Sequence, residues 1–289
     1  MAYKQITFTF RNSREVSLFY DGRYGARGEK RAPKRKATPE QIQKQNQHNR
    51  ERTVRHYINE NFTEEDYWVT LKYPAGTKKS VPEMREDFTK FCRKMRYRYK
   101  KAGEEFKYIY RMEVGRKGGL HVHILLNRIE NTDLYIKDCW IGHPWITTLY
   151  DEGGQEKLAE YITKKPDDEI KGQLSFFPEE EREDLVRYGV SRNLRKPVPE
   201  VKEYSRKTVK KEIELIESGD YMKLATPGFY IDKNSIRIGV NPYTGRSYLH
   251  YTERRIRREH VSHQYIHTKL NPFTKAKERK NHIPPGECG

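Results

Sequence analysis

Two histidines in a short apolar stretch are the residues of this sequence best suited to chemistry. Residues 118–126 read GGLHVHILL, and alternate residues of a strand point to the same face of a sheet. His121 and His123 therefore share one face, and two neighbouring imidazoles are suited to bind a divalent metal ion. The apolar residues that we expect on the opposite face, in the core, are Leu120, Val122, Ile124 and Leu126.

A carboxylate precedes this histidine pair by the length of a tight hairpin. Glu113 lies eight residues before His121, across a glycine-rich turn. A three-residue hairpin loop commonly ends in a glycine with left-handed backbone. If Gly118 takes that position, Glu113 lies opposite His121, and if Gly119 takes it, Glu113 lies opposite His123. Either register brings the carboxylate to the histidine face, so we interpret the three side chains as metal ligands rather than as an ordinary exposed polar face.

A later helical segment, residues 155–165, offers a nucleophile. Tyr161, Lys164 and Lys165 are spaced to share one side of that helix. By itself this group fits a tyrosine at the core edge beside solvated lysines. Next to a metal that polarises a phosphate, the tyrosine oxygen could attack a phosphodiester and form a covalent intermediate. A lysine would then offset the charge of the transition state, and the sequence leaves open whether Lys164 or Lys165 does so.

The elements that must hold these residues predict an α+β domain, in which helices pack on an antiparallel sheet. Aromatic and β-branched runs predict the strands, and apolar residues at helical spacing predict the helices. Residues 1–20 alternate in two runs and predict a hairpin, and Thr38 begins a polar helix. The other predicted elements are a strand at 67–73, a helix from Ser80 to Gly103, strands at 106–114, 120–127 and 146–150, and the helix at 155–165.

The charge balance indicates a polyanionic partner. The 289 residues include 58 Lys and Arg and 41 Asp and Glu, for a net charge of +17, which favours nucleic acid. The 21 tyrosines are compatible with stacking on single-stranded bases. A mean hydropathy of −1.07 argues against a membrane protein, and the N-terminus lacks the pattern of a signal peptide. Three scattered cysteines exclude a disulfide scaffold and a four-thiolate zinc site, so we expect a cytoplasmic protein.

Basic extensions flank the predicted domain. Residues 21–37 show no apolar periodicity, and we interpret their cations as contacts to DNA phosphates. Beyond Pro197 the chain is basic again, with helices predicted near 202–217 and 253–268. The expected divisions are 1–60 for the hairpin and basic arm, 61–200 for the domain with the site, and 201–289 for the C-terminal region. The predicted DNA-binding residues are Arg23, Arg27, Lys30, Arg31, Lys34, Arg35 and Lys36.

The ordered set of motifs at 68–73, 121–123 and 161–164 resembles the HUH endonuclease superfamily. It is most similar to the rolling-circle replication initiators of bacterial phages and plasmids, which the stretches GARGEKR, NFTEEDYWVTLKY and SRNLRKP also resemble. The resemblance implies a five-stranded, RRM-like antiparallel sheet, Mg²⁺ or Mn²⁺ as cofactor, and nicking of origin DNA through a 5′-phosphotyrosine that leaves a free 3′-OH. Only Tyr161 fits the catalytic motif, so a two-tyrosine initiator is disfavoured.

Three other functions fit part of the pattern. A single-tyrosine transposase or relaxase of the same superfamily differs mainly in its flanking arms. A non-catalytic RRM-like nucleic-acid-binding protein explains the charge and the tyrosines, but not the Glu113, His121 and His123 group beside Tyr161. A non-haem iron oxygenase uses two histidines and one carboxylate, but its small apolar pocket does not suit a strongly basic surface.

An acidic insert at 167–185 surrounds the sequence QLSFF. This pentapeptide resembles the short peptide with which bacterial replication proteins dock on the DNA-polymerase sliding clamp, with Phe176 where leucine is usual. We expect an extended loop that presents it, although the apolar residues could instead tack the loop onto the core. A host helicase is a further possible partner, of the C-terminal region. The candidate clamp-binding residues are Gln173, Leu174, Phe176 and Phe177.

Overall fold

The computed structural model describes residues 3–21, 38–149, 154–241 and 245–256. These residues form two antiparallel sheets and eight α-helices. None of the described helices is long and apolar enough to cross a membrane. The elements in chain order are β1 (Tyr3–Thr9), β2 (Ser13–Tyr20), α1 (Pro39–Asn61), β3 (Tyr67–Lys72), α2 (Val81–Lys101), β4 (Tyr108–Val114), β5 (Leu120–Leu126), α3 (Thr132–Cys139), β6 (His143–Thr148), α4 (Gly154–Thr163), α5 (Asp168–Leu174), α6 (Glu179–Arg182), β7 (Tyr188–Val190), β8 (Glu200–Tyr204), α7 (Arg206–Glu217), α8 (Tyr221–Leu224), β9 (Phe229–Ile231), a 3₁₀ turn (Lys233–Ser235), β10 (Arg237–Asn241) and β11 (Arg246–Arg255).

The first sheet has five strands in the order β6-β3-β5-β4-β7, and every neighbouring pair is antiparallel. With its helices it has the α+β architecture of an RRM-like sheet, so the predicted fold class is confirmed. Strand β6 begins three residues before the predicted strand at 146–150. The short strand β7 and helix α3 were not visible in the sequence pattern.

Helix α2 covers one face of this sheet. Ser80 and Glu83 form a capping box at its start, which satisfies backbone N–H groups that lack partners within the helix. Its apolar residues at 4- and 3-residue spacing pack on alternate residues of β3 and β5, as the spacing predicts. The buried residues of this layer include Met84, Phe88, Phe91 and Met95 of the helix and Val69, Leu71, Val122 and Ile124 of the strands.

Helices α1 and α4 cover part of the opposite face. Val54 and Ile58 of α1 and Ile162 of α4 form one buried cluster with Ile109 of β4 and Leu125 of β5. Because Leu125 follows His121 and His123 at two-residue intervals, this is the face that carries the histidines. The tyrosine helix is therefore held against the same sheet face as the predicted metal ligands.

The second sheet joins the two ends of the chain. Its order is β10-β11-β2-β1-β8, with β9 also paired to β11. The N-terminal hairpin β1–β2 is present as predicted, and it lies between strands from the C-terminal region. Helix α7 packs on this sheet through Val209, Ile213 and Ile216.

Two helix predictions for the C-terminal region need correction. The helix predicted near 202–217 begins only at Arg206, because 200–204 pair with β1 as strand β8. The prediction near 253–268 is wrong for its first residues, since 253–255 belong to β11. The rest of that segment, from residue 257 on, lies outside the described residues.

The acidic insert is not the extended loop that we expected. Asp167 caps helix α5, which runs to Leu174, and a second short helix, α6, follows at Glu179–Arg182. Acidic side chains at the start of a helix favour helix formation because they interact with the positive end of its dipole. The insert is thus partly helical, and α5 contacts β4 of the five-stranded sheet.

Candidate active site

The hairpin β4–β5 sets the positions of the carboxylate and the histidines. Gly118 has a φ of +77°, and its N–H donates to the carbonyl of Gly115. This is the first of the two predicted registers, and it pairs Glu113 directly with His121. The turn therefore decides which histidine faces the carboxylate.

Glu113, His121 and His123 form a group that could hold a metal ion, and their ligand atoms all lie within 4.8 Å of one another. Glu113 Oε2 lies 3.3 Å from His123 Nε2 and 3.8 Å from His121 Nε2. Glu113 and His123 are buried, whereas His121 is partly exposed. The predicted ligands are therefore assembled, with one of them open to solvent.

The outer nitrogen of each imidazole has a fixed neighbour. His123 Nδ1 lies 3.1 Å from Thr70 Oγ1, and His121 Nδ1 lies 3.3 Å from the carbonyl oxygen of Gly119. The Trp68 ring stacks on His123 with an interplanar angle of 4°. Such contacts orient metal-binding histidines, and here they direct both Nε2 atoms towards Glu113. The donor set and its supports fit a divalent metal ion.

Burial and the neighbouring imidazole keep His121 neutral. Burial is the largest cause, and the charge of His123 adds to it, so the pKa of His121 falls to about 4. A neutral imidazole keeps the nitrogen lone pair with which it binds a metal. His121 is therefore ready to act as a ligand at neutral pH without first losing a proton.

Helix α4 places Tyr161 against this group. The Tyr161 hydroxyl donates to Glu113 Oε2 over 2.8 Å and lies 2.8 Å from His123 Nε2. Burial, followed by the charge of Glu113, raises the pKa of Tyr161 above its ordinary value. The phenol is therefore protonated at neutral pH, and its oxygen lies where the three metal-capable side chains meet.

Lys164 lies beside the tyrosine, directly after α4 ends. Its Nζ is 3.6 Å from Glu113 Oε1 and 4.0 Å from the centroid of the Tyr161 ring. Lys165 is exposed. Of the two lysines that the sequence left open, the structure brings Lys164 to the tyrosine.

Arg111 is a residue of this site that the sequence reasoning missed. It is only 2% exposed, and its Nε lies 2.7 Å from Glu113 Oε1. Its Nη1 donates to the carbonyls of Ile162 and Lys164, at 2.8 and 2.7 Å. The available signal was its position two residues before Glu113, which puts both side chains on one strand face.

Competing effects set the ionisation of Glu113. Burial alone would raise its pKa, but a hydrogen bond with His123 and the charge of Arg111 lower it to about 2. The carboxylate is therefore ionised at neutral pH although it is buried, as a metal ligand must be.

The remaining predicted residues lie elsewhere. The seven cations of the arm, from Arg23 to Lys36, lie outside the described residues. In the acidic insert, Leu174 is buried and Phe177 packs against the core, while Phe176 is 80% exposed and Gln173 is partly exposed. Two of the three apolar residues of the clamp-like pentapeptide thus contribute to packing, and clamp binding stays a prediction.

Residues 66–169 match the sequence profile of a family described as replication-associated protein ORF2. The match begins just before β3 and ends in α5, so it includes Glu113, both histidines and Tyr161. No curated protein and no solved structure matches the chain. The match associates this part of the chain with DNA replication.

Proposed function

We propose that this protein is a metal-dependent, single-strand DNA endonuclease that nicks an origin to initiate rolling-circle replication. The observation that carries this proposal is the Tyr161 hydroxyl, 2.8 Å from both Glu113 and His123. A nucleophile held against a metal-capable group is the arrangement that phosphodiester transesterification requires. The match to a replication-associated family supports the same function.

Glu113, His121 and His123 would hold one Mg²⁺ or Mn²⁺ ion. One carboxylate oxygen and two imidazole nitrogens suit Mn²⁺ well, and Mg²⁺ accepts such sites when water and phosphate oxygens complete its coordination. When bound, the ion would polarise the scissile phosphate and offset its negative charge.

The protein residues divide the remaining tasks. The Tyr161 oxygen attacks phosphorus, and the bond from phosphorus to the 3′-oxygen breaks. The products are a 5′-phosphotyrosine and a strand end whose 3′-oxygen takes up a proton. The raised pKa of Tyr161 keeps its proton in place until attack, and the Lys164 ammonium, 4.0 Å from the ring centroid, stabilises negative charge as that proton leaves.

The net charge of +17 supports DNA as the partner. We assign the cations of residues 23–36 to phosphate contacts, which predicts that binding weakens steeply as salt rises. Docking of the host clamp on Gln173–Phe177 and helicase contact by the C-terminal region belong to the same proposal.

Transfer of a labelled strand to the protein tests the proposal. The protein is incubated with Mn²⁺ and a library of single-stranded oligonucleotides of random sequence, labelled at either end, and denatured. We expect the 3′-label, and not the 5′-label, to migrate with the protein, because the 5′-phosphate becomes attached to Tyr161. Tyr161→Phe should abolish the transfer, whereas Tyr97→Phe, which removes an exposed hydroxyl on α2, should not.

Two outcomes would contradict the proposal. Transfer that persists in Tyr161→Phe would assign the nucleophile to another residue. Tight DNA binding without any label transfer at any divalent metal concentration would favour the non-catalytic binding protein instead.

A further inference from the structure

Strand β6 presents an exposed aromatic side chain on the site face of the sheet. Trp145 pairs with Thr70 of β3, and Thr70 pairs with His123 of β5. Directly paired residues of neighbouring strands point to the same face. Trp145 therefore shares a face with His123, two strand spacings or about 10 Å away.

Its neighbours on the strand confirm this direction. Ile146 packs against the core on the opposite face, with α2, so Trp145 points away from that core. Trp145 is 68% exposed, which is unusual for the largest apolar side chain. Packing within the described part of the chain does not account for this tryptophan.

Positive charge lies in the adjacent row of the same face. Lys72 of β3 pairs with His121 on one side and with His143 of β6 on the other. Lys72 and His143 are both exposed. We name Lys72, His143 and Trp145 the β6 edge patch, because β6 is the outermost strand of the sheet.

We propose that the β6 edge patch binds single-stranded DNA next to the scissile phosphate, with one nucleobase stacked on Trp145 and a phosphate on Lys72. Exposed aromatic rings beside a cation are the means by which proteins hold single strands without reading their sequence. This inference rests on the proposed function for its choice of ligand. The continuity of the patch with the row of Glu113 and His121 gives a strand held there a direct path to Tyr161.

Equilibrium binding tests the patch without any cleavage. The full chain carrying Tyr161→Phe is titrated with an oligothymidylate by fluorescence anisotropy, and the intrinsic tryptophan emission is recorded as well. The chain has three tryptophans; Trp140 is 5% exposed and Trp68 stacks on His123. Quenching of the emission by DNA should therefore come mainly from Trp145.

We expect Trp145→Ala to weaken oligothymidylate binding about tenfold and to remove most of the quenching. Trp145→Phe, which keeps a ring, should retain most of the affinity. The matched control is Tyr97→Ala on α2, where an aromatic side chain is 67% exposed on the other side of the sheet; it should bind as the parent does. An abasic oligonucleotide of equal length and charge should bind the parent and Trp145→Ala equally.

Unchanged affinity in Trp145→Ala, or an equal loss in Tyr97→Ala, would overturn the inference. A loss that is the same on the abasic strand would overturn nucleobase stacking. Label transfer by the otherwise wild-type chain decides the proposed function separately. Transfer with an unaffected Trp145→Ala would reject the patch alone, and a tenfold loss of binding without any transfer would reject the nuclease alone.

Discussion

Glu113 is a buried carboxylate whose surroundings do two jobs. Arg111 neutralises its charge, and the same guanidinium donates to carbonyls at the end of α4. The last carbonyls of a helix have no partner within the helix, so this contact stabilises the helix that carries Tyr161. Arg111 thus connects the position of the nucleophile to the position of a metal ligand.

Replacement of this arginine should be strongly destabilising. Arg111→Met leaves the Glu113 charge and two carbonyls without their partner, which should lower the free energy of unfolding by about 3–5 kcal/mol. Urea denaturation at neutral pH measures the change. Arg85→Met is the matched control, because Arg85 pairs with Asp184 at the surface and such pairs contribute about 0–1 kcal/mol. Similar losses in the two variants would show that Arg111 has no special structural role.

The individual residues of the site were only partly predictable from the sequence. Strand alternation was sufficient to group Glu113, His121 and His123, because their spacing is local. Arg111, Thr70 and Trp68 were missed, since nothing in the order of residues shows which carbonyls or rings a side chain will meet across a fold. The contacts of Lys164 likewise depend on how α4 packs on the sheet.

Among the elements, the β4–β5 turn has the most direct effect on the site. A strand shifted by one residue turns all its side chains to the other face. Gly118 adopts the left-handed conformation that the three-residue loop requires, while Gly119 has no positive φ. The sequence allowed either glycine in that role, and only the structure distinguishes them.

Alanine substitutions should separate the two glycines. Gly118→Ala should lower the free energy of unfolding by about 1–2 kcal/mol, because a β-carbon is unfavourable at positive φ. Gly119→Ala should be nearly neutral, since a β-carbon there meets nothing within 4 Å. Gly118→Asn should recover part of the loss, because asparagine tolerates this conformation. Chemical denaturation provides the comparison, and equal effects at the two glycines would contradict the assigned turn.

The acidic insert shows why one element was predicted incorrectly. Its acids and its QLSFF sequence indicated an exposed loop, but burial of Leu174 and packing of Phe177 hold it on the core. The same five residues are compatible with a docking peptide and with a packed turn. Tertiary contacts decide between these conformations, and a short apolar run does not contain that information.

For the whole molecule, the central observation is that the two chain ends share a sheet. The hairpin β1–β2 lies between β11 and β8, so its neighbours are about 200 residues away in sequence. Alternation predicted the hairpin itself, because its pairing is local. Nothing in the sequence pattern indicated the partner strands, and the C-terminal strands were therefore read partly as helix.

A buried ion pair connects this second sheet to helix α1. Glu15 of β2 accepts from Arg55 at 2.8 Å and lies 2.9 Å from His56. Burial opposes its ionisation, but the hydrogen bonds with His56 and Arg55 lower the pKa of Glu15 to about 2. Helix α1 also packs on the five-stranded sheet through Val54 and Ile58, so it joins the two halves.

The depressed pKa makes the contribution of Glu15 depend on pH. Its stabilisation is fully present above the ordinary glutamate pKa of 4.5 and is lost as pH falls from there towards 2. Up to about 3 kcal/mol of unfolding free energy should disappear over this interval. Urea denaturation from pH 6 to pH 2.5 should therefore show a shallower pH slope in Glu15→Gln than in the parent. Glu104→Gln, the same change at an exposed residue, should keep the parent slope; equal slopes in all three would contradict the assignment.

The packing of α1 also bears on the predicted division at residue 60. That boundary would separate Val54 and Ile58 from the sheet face on which they pack, leaving Ile109, Leu125 and Ile162 exposed. Each such buried side chain contributes about 1.5–3 kcal/mol, and their sum approaches the stability of a whole domain. We therefore expect a fragment of residues 38–199 to be soluble and to gain thermal stability with Mn²⁺, and a fragment of residues 61–199 to aggregate. Differential scanning fluorimetry and sedimentation compare the two directly. If the shorter fragment folds and responds to Mn²⁺ as the longer one does, α1 belongs with the N-terminal sheet and the division at residue 60 is correct.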